Sequence, residues 1–271
     1  MQKEIDIPLI INAVKKTGDL FLPDFRKTAI PNTREDSLIQ LNHIEERCLT
    51  LLQENLSDAF PDTPWLGDEF DFEEQQKPLG LPEYWLCDTM DGAVQYMQHI
   101  VGWTINLVLV RDGRPYFAVI YDPYAQEMFW AVEGGGAFLN GNKINPSAKT
   151  DATVTLAVFE YAYQYKKVEG LNKKIGNAVT DLLENFGVVR NYGPCGLQLA
   201  YVGVGRIDFF YQPDLDTYNW LAGILIAKEA GAEILTADGR SWTWGEDSLL
   251  VATPGVGQKF CVAKSETQLT Q

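Results

Sequence analysis

The sequence is poor in the residues that build zinc sites, disulfide frameworks and membrane spans. It has four cysteines, Cys48, Cys87, Cys195 and Cys261, with no CxxC pair, and two histidines, His43 and His99. That scarcity argues against a zinc site or a disulfide framework and fits a reducing, cytoplasmic setting. Long apolar runs are missing too. The stretch 221–227 is followed at once by Lys228, and residues 1–8 alternate charged with apolar side chains rather than forming a signal-peptide block. Positive charge is short: 22 Lys and Arg stand against 37 Asp and Glu, a net charge of −15. Such a chain repels the phosphate backbone of nucleic acid and an anionic membrane surface, so neither is expected as a partner. A small anionic substrate stays open to it, because a bound divalent cation reverses the local field.

What is present is a large apolar fraction, 46% of 271 residues. That suffices for one large domain or two tightly joined lobes. We read 1–271 as a single domain with sub-lobes 1–146 and 147–271. Ile10, Ala13, Val14 and Phe21 give a helical stripe before Pro23, and Leu41, Ile44, Cys48, Leu51 and Leu52 give a second, which ends before Pro61. From 104 to 132 the pattern is β, with an Asp112-Gly113 turn, and Gly134-Gly135-Gly136 and Asn140-Gly141 mark further hairpins. The second half alternates strands (154–159, 188–189, 207–211, 232–235, 249–252) with helices (172–186, 196–203, 219–230), the rhythm of a layered α/β lobe.

The chemistry concentrates at Trp85-Leu86-Cys87-Asp88-Thr89-Met90-Asp91-Gly92. An apolar strand runs into two carboxylates three residues apart. Gly92 then lets the backbone approach a ligand, and a helix starting at Ala93 would point free amides at an anion. Two carboxylates beside amide donors describe a hard-metal site that also holds phosphate. Alone, the segment reads more readily as an acidic turn capping a helix. It is accompanied by Trp65-Leu66-Gly67-Asp68-Glu69 upstream and by Tyr218-Asn219-Trp220-Leu221-Ala222-Gly223, running to Glu229-Ala230-Gly231, downstream.

In that series the chain resembles the inositol monophosphatase family. Its Gly-Glu-Glu, Trp-x-x-Asp-x-x-Asp-Gly and Trp-Asp…Glu-Ala-Gly elements have counterparts here in order, and residues 134–141 resemble its Gly-x-Gly-Ala-x-x-Asn-Gly hairpin. The resemblance implies an αβαβα sandwich, an α/β layered fold. It implies a homodimer, and hydrolysis of a small phosphorylated metabolite (an inositol, sugar or nucleotide phosphate) by metal-activated water. Carried over residue by residue, Asp68, with Glu69 as its adjacent alternative, stands at the first acidic ligand. Asp88 bridges two metals, the Met90 carbonyl assists, and Asp91 and Asn219 bind the second metal. The amides of Gly92 and Ala93 hold phosphate. Gly193, Pro194, Cys195, Gln212 and Asp214 fall where the family sets substrate choice.

The departures cluster on one side of that pattern. Asp68 stands where the family has Glu, Asn219 where it has Asp, and Ala93 where it has Thr. Asn42 is read at the position of the Asp that partners the Thr. Two or fewer Mg2+ ions are therefore expected. Two functions follow: an active phosphatase with an altered water-activation route, or a protein that keeps a metal–phosphate pocket in a binding or regulatory role. Restoring Asn219→Asp and Ala93→Thr is expected to raise activity. Glu229 is weighed as a site residue against a packing role, and His43 as a base against a spectator. Tyr161, Tyr163 and Tyr165 are read as one strand face.

Overall fold

The computed structural model describes residues 5–66, 74–161 and 169–269, without the side chains of Glu74 and 263–269. Asp68, Glu69, Tyr163 and Tyr165 lie outside the described residues.

The chain stacks five layers. The first holds α1 (Ile7–Asp19) and α2 (Arg34–Leu56). In α1 the buried residues Ile10, Ala13, Val14, Thr17 and Gly18 follow the helical repeat. Helix α2 starts earlier than its apolar stripe suggests, because Thr33 caps it by accepting a bond from the Asp36 N–H at 3.1 Å. Both helices cover one face of a seven-stranded sheet ordered β1 to β7. Its strands are β1 (Trp65–Leu66), β2 (Glu83–Asp91), β3 (Thr104–Arg111), β4 (Arg114–Asp122), β5 (Glu127–Val132), β6 (Gly136–Leu139) and β7 (Asn142–Lys143). The short helix α3 (Ala93–Met97) follows β2.

The second sheet comprises β8 (Leu156–Phe159), β9 (Val188–Arg190), β10 (Phe209–Gln212), β11 (Glu233–Leu235) and β12 (Leu249–Ala252), in the order β11-β12-β10-β8-β9. Between the sheets lie α5 (Cys195–Gly203) and α6 (Thr217–Ala230). Ala222, Leu225 and Ile226 of α6 pack on the first sheet, and Trp220, Ile224 and Ala227 face the second. That placement explains why 221–227 is apolar all round: the helix is buried on both sides. The outer face of the second sheet is covered by α4 (Leu171–Asn185) and by α7 (Val256–Leu269), a helix the sequence pattern did not announce. The layers are thus α, β, α, β, α, as expected.

The middle layer is tight. A Cβ on Gly223 of α6 would come within 2.3 Å of Leu199 Cβ on α5, so only glycine permits this approach. Glu229 does not face the site. Its two carboxylate oxygens accept from the N–H groups of Gly134 and Gly136, each at 2.9 Å, and pin the β5–β6 hairpin to α6.

Candidate active site

The site begins with a fault in strand pairing. In β2, Asp88 pairs with Asn106 of β3, whereas Asp91 pairs with Thr104, so three steps on one strand match two on the other. Residues three apart on a regular strand point to opposite faces. The extra residue of this bulge flips the parity and returns Asp88 and Asp91 to the same face. Gly92 then turns the chain with φ of 87°, and a Cβ there would come within 3.1 Å of the Gly102 carbonyl oxygen. Helix α3 starts directly after it.

Both carboxylates line a cleft of about 530 Å3, together with Met90, Gly92, Ala93, Cys195 and Asn219. Most site residues read from the sequence are therefore assembled in one place. Asp91 Oδ2 accepts a bond from the Gly196 N–H at 2.7 Å and one from Asn106 Nδ2 at 3.0 Å. Asn106 is fixed in turn by the Thr104 hydroxyl, which donates to its Oδ1 at 2.8 Å. Burial pushes the Asp91 carboxyl up to about 6 against these stabilising bonds. Asp216 also lines the cleft, and burial pushes it up to about 7. The Cys195 thiol is raised well above its usual value by burial and by the surrounding carboxylates, which makes it a wall and not a nucleophile.

Several residues singled out in the sequence lie away from the cleft. Gln212, expected at the substrate, is fully buried and does not line the cleft. Its Oε1 accepts from Trp220 Nε1 at 2.8 Å and its Nε2 donates to Asp216 at 3.0 Å. Asn42 and His43 are exposed on α2 and also stay out of the cleft. Glu45, one turn further on, takes the cleft-facing position with Leu38 and Leu41. The sequence signal was available, since 38, 41 and 45 share one helical face. Burial raises the Glu45 carboxyl, and no hydrogen bond or ion pair from the described residues reaches it. Glu160, just past β8, is a further cleft carboxylate missed by motif reading; it accepts from Gln198 Nε2 at 3.0 Å.

Among the described residues no three His, Cys, Asp or Glu side chains are grouped to hold a metal ion. The expected third carboxylate, Asp68 or Glu69, lies outside them. Asp88, Asp91, the Met90 carbonyl and the Asn219 amide oxygen would offer a metal ion only hard oxygen atoms, a set that suits magnesium rather than zinc.

The chain belongs to the inositol monophosphatase family: a sequence model of that family matches residues 10–270. The chain is 26% identical over 235 residues to the Nus factor SuhB of Xylella fastidiosa, covering 86% of this chain and 82% of that one. It is also 26% identical over 243 residues to the inositol-1-monophosphatase of Rhizobium meliloti, covering 88% of each. Among solved structures, the extragenic suppressor protein SuhB of Bartonella henselae superposes with a TM-score of 0.78 at 22% identity over 95% of this chain and 97% of that one. Members of the family are phosphoric monoester hydrolases that act on phosphorylated metabolites, and the family is generally metal-dependent. Among the described residues no helix is long and apolar enough to cross a membrane.

Proposed function

We propose that this protein is a magnesium-dependent hydrolase of a small phosphate monoester. Asp88, Asp91, the Met90 carbonyl and Asn219 would hold the cation, with Asp68 or Glu69 completing the set. The observation that carries this reading is the bulge that brings Asp88 and Asp91 to one face beside Gly92, at the floor of a cleft large enough for a phosphorylated metabolite.

When bound, the cation polarises the phosphoryl oxygens and lowers the pKa of the attacking water. The chain's own residues do the rest. The N–H groups of Gly92 and Ala93 bind phosphate oxygens. The bonds from Gly196 and Asn106 hold Asp91 in one orientation. Ala93 cannot orient water through its side chain, and Glu45 supplies the missing base by taking a proton from the attacking water. A bond forms from water oxygen to phosphorus, the ester P–O bond breaks, and solvent protonates the departing alkoxide. The cleft is also lined by apolar Leu38, Leu41, Val94 and Tyr161 beside polar Arg34, Ser37, Gln95 and Gln98, so it offers both kinds of contact to the alcohol part of a substrate.

The second reading is a binding or regulatory protein with a relic site. Ala93 and Asn219 at the cleft favour it, and relatives named Nus factor keep it in view. Phosphate release from a panel of sugar, inositol and nucleotide monophosphates separates the two, with Asp91→Ala as the blank. Turnover that needs both Mg2+ and Asp91 supports the enzyme; no release above the blank, with metal still bound, supports the relic. The same reading carries a cytoplasmic location, a homodimer and two or fewer Mg2+ ions as its expectations.

A further inference from the structure

The Gln212 amide has one orientation open to it. The Trp220 indole N–H can only donate, and Nε1 lies 2.8 Å from Gln212 Oε1. The NH2 end of Gln212 therefore faces Asp216, with Nε2 3.0 Å from Oδ2. Asp216 accepts there, and its other oxygen lies 2.8 Å from Asn219 Nδ2. The Asn219 NH2 is thus turned toward Asp216, and its carbonyl oxygen is the branch left over. No hydrogen bond from the described residues reaches that oxygen, and both residues line the cleft with Asp88 and Asp91.

A second observation shows Asp216 diverted from its ordinary use. It occupies the N-cap of α6, where an Asp side chain normally accepts a backbone N–H from the first turn. It makes no such bond. The carboxylate is spent on two side-chain amides instead.

We infer that Asp216 is a positioning residue that turns Asn219 oxygen-first toward the catalytic cation and supplies, one hydrogen bond away, the negative charge that Asn219 lacks. This rests on the reading of Asn219 as a ligand given above. The charge expected at position 219 has moved three residues back along the chain. A carboxylate bonded to a ligand's far side fixes its orientation and raises the basicity of its donor atom. It follows that Asn219→Asp alone does not repair the site. It sets two carboxylates against each other where an N–H···O bond now stands. Only the exchange Asp216→Asn with Asn219→Asp keeps the bond and relocates the charge.

The test is calorimetric titration of the full chain with Mn2+, beside circular dichroism to verify folding. Asp216→Asn, nearly isosteric, is expected to weaken Mn2+ binding by about 10- to 100-fold. Gln212→Leu is expected to weaken it in the same direction by less. The double exchange is expected to return the affinity to within about threefold of the parent, a rescue that a purely structural role for Asp216 would not produce. A folded Asp216→Asn that binds Mn2+ as the parent does overturns the inference. So does a folded double exchange as weak as Asp216→Asn, and should Asp216→Asn not fold, a double exchange that folds but binds about tenfold more weakly than the parent does the same. A parent that binds no Mn2+ sinks the metal reading itself, and this inference with it.

Discussion

The N–H of Gly196 donates to Asp91 at 2.7 Å across 105 residues of sequence, tying the first residues of α5 to the end of β2. The contact leaves no room for a side chain: a Cβ on Gly196 would lie 2.6 Å from Asn106 Nδ2 and 2.9 Å from Asp91 Oδ2. Gly196→Ala should therefore displace Asp91 without removing any proposed ligand. We expect turnover to fall by about two powers of ten, the scale of a small misplacement at a reacting centre, with the far-UV circular dichroism unchanged. Parent-like turnover would show that the Asp91 orientation set by this bond is unimportant.

In the proposed mechanism, water activation depends on Glu45. Glu45→Gln keeps the shape and removes the base. The expected loss in kcat is about 10²- to 10⁴-fold, with the acidic limb of the kcat/KM profile removed. Ala93→Thr in the Glu45→Gln background adds back a hydroxyl at the cleft and should recover part of the loss. An unchanged pH profile in Glu45→Gln would assign the base elsewhere.

Without metal, Asp91 and Asp216 hold their protons up to about pH 6 and 7. In the unfolded chain an aspartate titrates near 3.9. Between about pH 4 and 7 the folded protein thus binds more protons than the unfolded one, so these groups make apo stability fall as pH rises. A bound cation needs the ionised carboxylates and releases those protons. Thermal melts should accordingly show the increase in Tm on adding Mg2+ growing from pH 5 to pH 8. An increase that is constant across that range would show that neither carboxylate is coupled to metal binding.

Two positions far from the chemistry carry the layering. Gly223→Ala forces apart α5 and α6 and should cost about 1–3 kcal/mol in stability. Glu229→Gln leaves one of the two hairpin N–H groups facing an amide NH2 and should cost about 1–2 kcal/mol. Urea melts measure both, and the Mn2+ affinity of Glu229→Gln should match the parent, because that side chain serves the hairpin.

Much of this was written in local pattern. Apolar periodicity gave α1, most of α2 and the successive hairpins of the first sheet, since burial on one face leaves a regular trace. The spacing of Asp88, Asp91 and Gly92 pointed to a candidate site only in company with the motifs at 65–69 and 218–231, because alone it is also the pattern of an acidic helix cap. Tertiary structure decided what periodicity cannot encode. The bulge that reunites Asp88 with Asp91 depends on pairing with β3. Gln212 looked like a substrate contact until its amide was seen locked between Trp220 and Asp216. Glu45 and not Asn42 lines the cleft because of the face that helix α2 turns toward it. No sequence pattern singled out Asp216, and only the side chains that converge on it give it a task. The sequence determined which groups this protein has and which local elements carry them; the packing of five layers determined which of those groups meet, since hydrogen bonds and charges act across space and not along the chain.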